Sequence, residues 1–169
     1  MLIREMMQNF PQTGSVRWIG VRPGRGMAVV NVPSVEIGLA NGLAGDLFRG
    51  KPGSIRQVTL IQFEHLSIIA QLLGRDTIDP ALLRRNIVVS GINLLALRGQ
   101  RFAIGTAILV ATGNCAPCNQ MEIALGPGGY NAMRGHGGIT ASVMQPGIVN
   151  LNDTVRHLGP AELVKEYDD

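Results

Sequence analysis

Residues 101–111, RFAIGTAILVA, decide the fold class of this chain. Apolar residues dominate both halves of the stretch, and Gly105-Thr106 predicts a bend that joins two short strands, 101–104 and 107–111. Similar runs bounded by Gly or Pro predict further strands at residues 15–22, 27–37, 55–61, 87–89, 139–143, 148–151 and 153–158. Many short strands of this kind predict a mainly β fold, a closed or nearly closed β-barrel.

The predicted helices are few and short. Apolar residues recur at a helical period over residues 62–73. Asp79-Pro80 predicts the start of a short helix that continues to residue 83, because Asp caps a helix and Pro fits its first position. Residues 118–125 predict one or two helical turns, and residues 160–167 predict a C-terminal helix. Residues 126–138 are predicted to form a Gly-rich loop.

The composition fits one domain, which we expect to span residues 1–169. With 169 residues, of which 46% are apolar, the chain is long enough to bury a hydrophobic core. Its 22 glycines and 9 prolines disfavour a helical bundle, since each Gly costs a helix roughly 0.5–1 kcal/mol relative to Ala. The 2 cysteines are too few for a disulfide scaffold, so the core must provide the stability.

The charge pattern favours small anionic ligands. The formal net charge is +3, and 13 of the 15 basic residues are Arg, whose forked guanidinium binds phosphate or carboxylate with two hydrogen bonds. Four of the acidic residues fall in the last eight positions, which predicts an acidic helix or tail over residues 160–169. The 7 aromatic residues are too few for base-stacking platforms, so we expect no nucleic-acid partner.

The sequence also gives an expectation for location. No apolar stretch reaches the roughly 20 residues that span a membrane. The first residues include Arg4 and Glu5 and lack the apolar run of a secretion signal. We therefore expect a cytoplasmic protein with no membrane partner, in which both cysteines are free thiols.

Cys115-Ala-Pro-Cys118 is the motif with the clearest chemistry. A predicted strand precedes it and predicted helical turns follow it, so Cys118 lies where strand gives way to helix, a position that favours a thiolate. Three interpretations remain open. One CxxC supplies only two of the four ligands of a zinc site. A thioredoxin-like redox pair is the second interpretation, although the preceding chain lacks βαβ alternation. The third is a pair of buried cysteines in a turn.

Anion-binding residues lie on both sides of this motif. Arg84, Arg85 and Asn86 precede a predicted strand, and the loop 126–138 contains six glycines together with Arg134 and His136. Glycine allows backbone N–H groups to approach a ligand closely. Arg134 would add a charge that binds an anion through two hydrogen bonds.

One phosphate-binding motif is incomplete. Residues 45–51 match the pattern GxxxxGK of a P-loop. Pro52 stands where that motif needs a Ser or Thr hydroxyl for Mg²⁺ and the start of a helix. Nucleotide hydrolysis is therefore not expected.

Five blocks of the sequence stand in the order of a known family: Gly42-Leu-Ala-Gly-Asp46, Arg56-Gln-Val-Thr-Leu-Ile61, Leu83-Arg-Arg-Asn-Ile-Val-Val-Ser-Gly91, Phe102-Ala-Ile-Gly105 and Pro117-Cys118. Together they resemble the MOSC domain, which is named for the C-terminal domain of molybdenum-cofactor sulfurases. The resemblance covers residues 17–158, which it assigns to the core of the domain. It implies a barrel of the MOSC type, similar to the pyruvate-kinase barrel.

The resemblance also implies a molybdenum–pterin cofactor, or its sulfur as cargo, and one cysteine that carries the chemistry. That cysteine corresponds to Cys118, which would bind molybdenum, whereas Cys115 is the less favoured ligand and its role is open. The residues expected to bind the cofactor are Arg56, Arg85, Asn86, Cys118, Arg134 and His136. The last two, in the Gly-rich loop, are expected to close the same pocket.

Two positions depart from the family pattern. Relatives often have His two residues after the Gly-Asp pair, whereas Leu47 and Phe48 follow Asp46 here. Near the end, Asn152 replaces the usual Gly before Asp153, a mild change because Asn tolerates the left-handed backbone.

The sequence therefore predicts a stand-alone, bacterial-type MOSC protein without a pyridoxal-phosphate domain. Cys118 would either bind molybdenum, in support of the reduction of N-hydroxylated substrates, or carry a persulfide for transfer to the cofactor. The expected partners are a small-molecule substrate, a protein that donates or accepts sulfur, and an electron-donor protein. The alternatives are a thiol–disulfide oxidoreductase that uses Cys115 with Cys118 and a non-enzymatic carrier of the cofactor or of sulfur.

Overall fold

The computed structural model describes residues 1–48 and 50–162, and β-strands dominate it. The strands are β1 (Gly14–Val21), β2 (Val30–Asn31), β3 (Ser34–Gly38), β4 (Gly42–Leu43), β5 (Val58–Gln62), β6 (Ile87–Ser90), β7 (Gln100–Ile104), β8 (Ala107–Asn114), β9 (Ile139–Gln145), β10 (Gly147–Asn150) and β11 (Thr154–Pro160). The α-helices are α1 (Ile3–Met6), α2 (Phe63–Leu72), α3 (Asn119–Leu125) and α4 (Gly129–Met133). Single 3₁₀ turns cover Pro80–Leu83 and Leu94–Leu97.

Seven strands close a barrel. Their order is β1, β6, β5, β9, β8, β7 and β11, and β11 pairs with β1 to complete the circle, with Gly14 opposite Val155. All neighbours are antiparallel except β5 and β6, which are parallel and are joined through α2. A smaller sheet of β10, β3 and β4 extends the structure. The predicted mainly β barrel with a few short helices is confirmed.

The barrel interior is the main hydrophobic core. Along β8, buried residues alternate with partly exposed ones, as expected for a strand with one face inside. Phe102, on the neighbouring strand β7, is fully buried and is among the largest side chains of this core. A closed barrel leaves no unpaired edge, so the backbone groups of these short strands satisfy one another.

A second apolar cluster attaches the helices to the outside of β5 and β6. It contains Ile61, Ile69, Ala70, Ile78, Leu83, Val88, Met121, Leu125 and Met133. Met121 and Leu125 belong to α3, and each buried side chain of this kind stabilises its contact by about 1.5–3 kcal/mol. This cluster therefore holds α3, and with it the segment that contains both cysteines, against the barrel wall.

Several element predictions need correction. The strand predicted at 27–37 is two strands, β2 and β3, because Pro33 between them has no N–H to donate to a ladder. The loop predicted at 126–138 contains α4, whose start is capped by the Glu122 carboxylate, which accepts hydrogen bonds from the N–H groups of Gly128 and Tyr130. The helix predicted at 160–167 falls mostly outside the described residues, and β11 extends to Pro160.

Gly138 provides a test of the packing between the Gly-rich segment and β5. It has φ +84°, and a Cβ there would collide with the backbone carbonyl oxygen of Leu60. At Gly135, with φ +81°, a Cβ would meet no atom within 4 Å. Gly135→Ala should lower the free energy of unfolding by roughly 1–2 kcal/mol, the strain of a left-handed residue. Gly138→Ala should cost about 1–3 kcal/mol more, from overpacking.

Urea unfolding of both variants measures this difference. Equal stability of the two variants would contradict the close approach of Gly138 to Leu60, whereas a Gly138→Ala chain that fails to fold at all would agree with it.

Candidate functional site

A cavity of about 440 Å³ lies where the ends of β1 and β5 meet the segment between β8 and α3. Its lining residues are Gly20, Arg22, Val29, Asp46, Leu47, Phe48, Arg56, Gln57, Thr59, Arg84, Arg85, Asn86, Cys115, Ala116, Pro117, Cys118 and Met121. The cavity thus brings together Arg56, Arg85, Asn86 and both cysteines among the predicted site residues. These come from three separate parts of the chain, and the barrel is what assembles them.

The cavity is strongly cationic. Within residues 1–48 and 50–162, four arginines line it, Arg22, Arg56, Arg84 and Arg85, against the single carboxylate of Asp46. Asp46 also accepts a hydrogen bond from the backbone N–H of Arg22, with a distance of 2.7 Å to Oδ1. Guanidinium groups stay protonated at neutral pH. The excess of positive charge therefore favours an anionic ligand.

Arg85 organises the floor of the cavity. It is only 6% exposed. Its Nε donates to the carbonyl of Gly137 (2.8 Å), its Nη1 to that of Leu83 (3.0 Å) and its Nη2 to that of Cys115 (3.0 Å). Burial lowers the pKa of Arg85, and the nearby sulfur atoms of Cys115 and Cys118 act in the opposite direction. Arg85 therefore fixes the cysteine segment to the end of the Gly-rich segment.

Asn86 has a similar joining role next to Arg85. Its Oδ1 accepts from the backbone N–H of Thr59 (3.0 Å) and from the Thr59 hydroxyl (3.1 Å). Its Nδ2 donates to the carbonyl of Gly20 at 3.4 Å. Because Gly20 lies in β1 and Thr59 in β5, Asn86 ties together the two strands whose ends border the cavity.

The two cysteines occupy different environments. β8 ends at Asn114 and α3 begins at Asn119, so Cys118 is the residue that precedes the first helical residue. Cys118 is exposed and Cys115 is buried, and both are free thiols. Cys115 is held by a hydrogen bond from its N–H to the Gly138 carbonyl, and Arg56 Nη2 lies 3.8 Å from its Sγ. Cys118 is thus the thiol that a ligand in the cavity can reach.

The structure does not bring Arg134 and His136 to this cavity. Arg134 lies beside a separate cavity of about 260 Å³, behind the segment 115–117. His136 faces His65, with 3.3 Å between the two Nδ1 atoms. The Gly-rich loop contacts the cysteine segment through the carbonyls of Gly137 and Gly138, which accept hydrogen bonds from Arg85 Nε and from the Cys115 N–H. The expected cofactor-binding roles of Arg134 and His136 stay predictions.

Two lining residues, Arg22 and Asp46, were not selected from the sequence, although Asp46 belongs to a quoted block. They lie 24 positions apart and meet through the hydrogen bond between Arg22 N–H and Asp46. A usable signal was present for Arg22, which directly follows an apolar strand and precedes Pro23. That position places an arginine at the rim of a barrel.

Two features are absent from residues 1–48 and 50–162: a cluster of metal ligands and a membrane-spanning helix. Over these residues, no three His, Cys, Asp or Glu side chains are grouped as metal ligands. Over the same part of the chain, no helix is long and apolar enough to cross a membrane.

The barrel topology and the cavity define a class of protein, and comparison with known protein families identifies that class. The family model described as MOSC domain matches residues 48–156. The chain therefore belongs to the MOSC domain family, and the resemblance drawn from the sequence is confirmed. The comparison with curated proteins found no significant match.

Solved structures share the fold. The YUAD protein from Bacillus subtilis superposes with a TM-score of 0.76 at 21% identity, covering 90% of this chain and 100% of that one. YiiM from Geobacillus stearothermophilus has a TM-score of 0.71 at 16% identity and covers 86% and 75%, respectively. YiiM from Escherichia coli has a TM-score of 0.67 at 19% identity, with coverages of 89% and 72%. At these identities the similarity establishes the fold.

The role of Arg85 in holding the cavity floor can be measured as stability. Arg85→Met removes the donors of three carbonyl groups, and each buried group left without a partner costs about 1–3 kcal/mol. We expect Arg85→Met to lower the free energy of unfolding by at least ~3 kcal/mol. Arg84→Met, whose side chain is half-buried and faces the cavity, should cost less than about 1 kcal/mol. Equal losses in urea titrations of the two variants would refute the difference in roles.

The His65–His136 pair predicts a pH dependence of stability. Burial and the adjacent His136 lower the pKa of His65 below its ordinary 6.5. The unfolded chain then binds the proton more readily, so this contribution to stability is complete above pH 6.5 and is lost as the pH falls below that value. His65→Gln removes it, so the decline in unfolding free energy between pH 7 and pH 5 should be shallower than in the wild type.

His157 is a second, independent contributor to the same pH dependence. Burial lowers its pKa as well, and it lies on β11, away from α2. His157→Gln should flatten the pH profile independently, and the double variant should be flatter than either single one. An unchanged slope in His65→Gln would show that His65 does not titrate differently in the folded state.

Proposed function

We propose that the Cys118 cavity binds a molybdenum–pterin cofactor and that the protein uses it to reduce N-hydroxylated compounds. The observation that supports this proposal is the exposed Cys118 thiol in the wall of a cavity of about 440 Å³, whose described lining has four arginines and one carboxylate. Membership of the MOSC domain family, which is associated with proteins of molybdenum-cofactor metabolism, supports it as well.

The donor set fits such a group. Thiolate is a soft ligand suited to a thiophilic metal. The phosphate of the pterin is an anion that guanidinium groups bind with charge-assisted hydrogen bonds. A volume of about 440 Å³ lies within the range of small-molecule sites. Of the residues that line the cavity, Cys118 would hold the metal, and Arg22, Arg56 and Arg84 would hold the phosphate.

The remaining residues would position these groups. Arg85 donates its hydrogen bonds to the carbonyls of Leu83, Gly137 and Cys115. It would therefore place the cysteine segment and provide a fixed positive charge. Asn86 would keep the cavity wall in register through Thr59. Asp46 would hold the Arg22 backbone at the cavity, because its Oδ1 accepts a hydrogen bond from the Arg22 N–H.

The overall reaction balances with a partner that supplies electrons. Reduction of an N–OH group to N–H consumes two electrons and two protons and releases water. The bound cofactor would supply two-electron redox chemistry. The electrons would come from an electron-donor protein, and the substrate is a small molecule.

The distinguishing experiment compares the two cysteines. The protein is expressed in a host that makes the cofactor, and molybdenum is measured by mass spectrometry and pterin as its fluorescent oxidation product. We expect the wild type and Cys115→Ser to carry both, because Cys115 is buried. Cys118→Ser should contain less than about a tenth of the molybdenum found in the wild type. Retention of wild-type molybdenum in Cys118→Ser would overturn the assignment of the ligand.

The same variants separate the alternatives from the proposal. If Cys118 carries sulfur instead of metal, the wild type will release thiocyanate on treatment with cyanide while containing no molybdenum. If the cysteines form a redox pair, disulfide-exchange activity will require both thiols, so Cys115→Ser will be as inactive as Cys118→Ser. Either result would replace cofactor binding as the function of this cavity.

A further inference from the structure

A second cavity of about 590 Å³ adjoins the Cys118 cavity. Its lining residues are Arg22, Arg25, Gly26, Met27, Ala28, Val29, Ala81, Leu82, Arg84, Gln120 and Ala124. Arg22, Val29 and Arg84 line both cavities, so these three residues form the boundary between them. A ligand that passes between Arg22 and Arg84 would reach from one cavity into the other.

Helix α3 runs along both cavities. Cys118, just before the helix, and Met121 line the first cavity, whereas Gln120 and Ala124 line the second. Gln120 and Ala124 are four positions apart and therefore share one face of the helix. The second cavity thus lies next to the thiol along the same short helix.

The second cavity has a distinct chemistry. Among the residues that the structure describes, its charged lining residues are three arginines and none is a carboxylate. Met27, Val29 and Leu82 give it an apolar surface, and Gln120 offers an amide that both donates and accepts hydrogen bonds. Guanidinium groups bind phosphate through two hydrogen bonds and also stack on aromatic faces. A flat ring with polar edges, joined to a phosphate, matches this combination.

Arg84 at the boundary has an unusual backbone. It ends the 3₁₀ turn Pro80–Leu83 with φ +57° in the left-handed region. A residue with a Cβ is strained there compared with the right-handed form, and such strain is concentrated at functional sites. The next residue, Arg85, is anchored by three carbonyls, which fixes the direction of the chain at this point. The strained turn thus places Arg84 between the two cavities.

We propose that the second cavity binds a nucleoside monophosphate group, with the phosphate held by Arg25, near the positive charge of Arg22 and Arg84 at the boundary, and with the ring on the apolar surface. Two sources share this chemistry: a nucleotide substrate that reaches toward Cys118, or a nucleotide joined to the cofactor itself. The assignment deepens the proposed function, and the relevance of the nearby Cys118 rests on that function. Binding of the nucleotide itself does not require the metal.

The test is isothermal titration calorimetry with adenosine 5′-monophosphate and adenosine as probes, on protein made without the cofactor. Adenosine 5′-monophosphate should bind at least tenfold more tightly than adenosine. Arg25 lines only the second cavity, so Arg25→Gln should weaken binding of the monophosphate by about tenfold and leave adenosine unchanged. Arg156→Gln, which removes an exposed charge on β11, is the matched control and should have no effect. Thermal melts verify that each variant is folded.

Two further arms identify the source and separate this inference from the proposed function. Protein loaded with cofactor will still bind the monophosphate if the nucleotide is a substrate, and will have lost that binding if the nucleotide belongs to the cofactor. Cys118→Ser should bind it as the wild type does, even if the metal experiment fails. Equal affinities for the monophosphate and adenosine, or equal effects of Arg25→Gln and Arg156→Gln, would overturn the nucleotide site while leaving the Cys118 assignment intact.

Discussion

The buried guanidinium of Arg85 is the interaction on which the arrangement of the site depends. It joins three segments that are distant in sequence, through the carbonyls of Leu83, Cys115 and Gly137. Taking a cation out of water costs several kcal/mol, and hydrogen bonds to oppositely polarised groups are what offset that cost. These bonds add to the apolar packing of α3 and to the hydrogen bond between Cys115 N–H and the Gly138 carbonyl in holding the β8–α3 connection at the cavity.

Glycine makes this arrangement sterically possible. A Cβ at Gly137 would collide with the carbonyl oxygen of Cys115 and would stand 3.1 Å from Nη2 of Arg85. The glycines at this end of the segment are therefore needed for close packing of backbone against backbone. A glycine that makes room for a ligand and a glycine that makes room for a neighbouring strand look the same in a sequence, because both lack a side chain. Sequence alone therefore does not tell which of these two roles the glycines of this segment have.

The local sequence pattern predicted most of the strands and short helices. The barrel follows from short apolar runs with turns between them, and the position of Cys118 before a helix follows from the strand predicted at 107–111 and the helical turns predicted after it. Contacts between distant parts of the chain were beyond such patterns. His136 meets His65 across 71 positions, and Asp46 meets Arg22 across 24. The parallel pairing of β5 with β6 likewise depends on how α2 crosses the barrel wall. The family resemblance supplied Arg56, Arg85 and Asn86, which local pattern alone does not connect.

The arginines of the two cavities divide into positioning and binding groups, and burial makes the division. Arg85 is nearly inaccessible and its donors are occupied by carbonyls, so a ligand experiences its charge but gains few directional bonds from it. Arg22 and Arg84 are half-buried at the boundary, and Arg25 and Arg56 are exposed, so their forks remain free to orient on an anion. Charge from within and hydrogen bonds from the rim therefore act on different parts of a ligand. A phosphate would be selected at the rim, whereas the group next to Cys118 would be selected by shape and by the affinity of its atoms for sulfur.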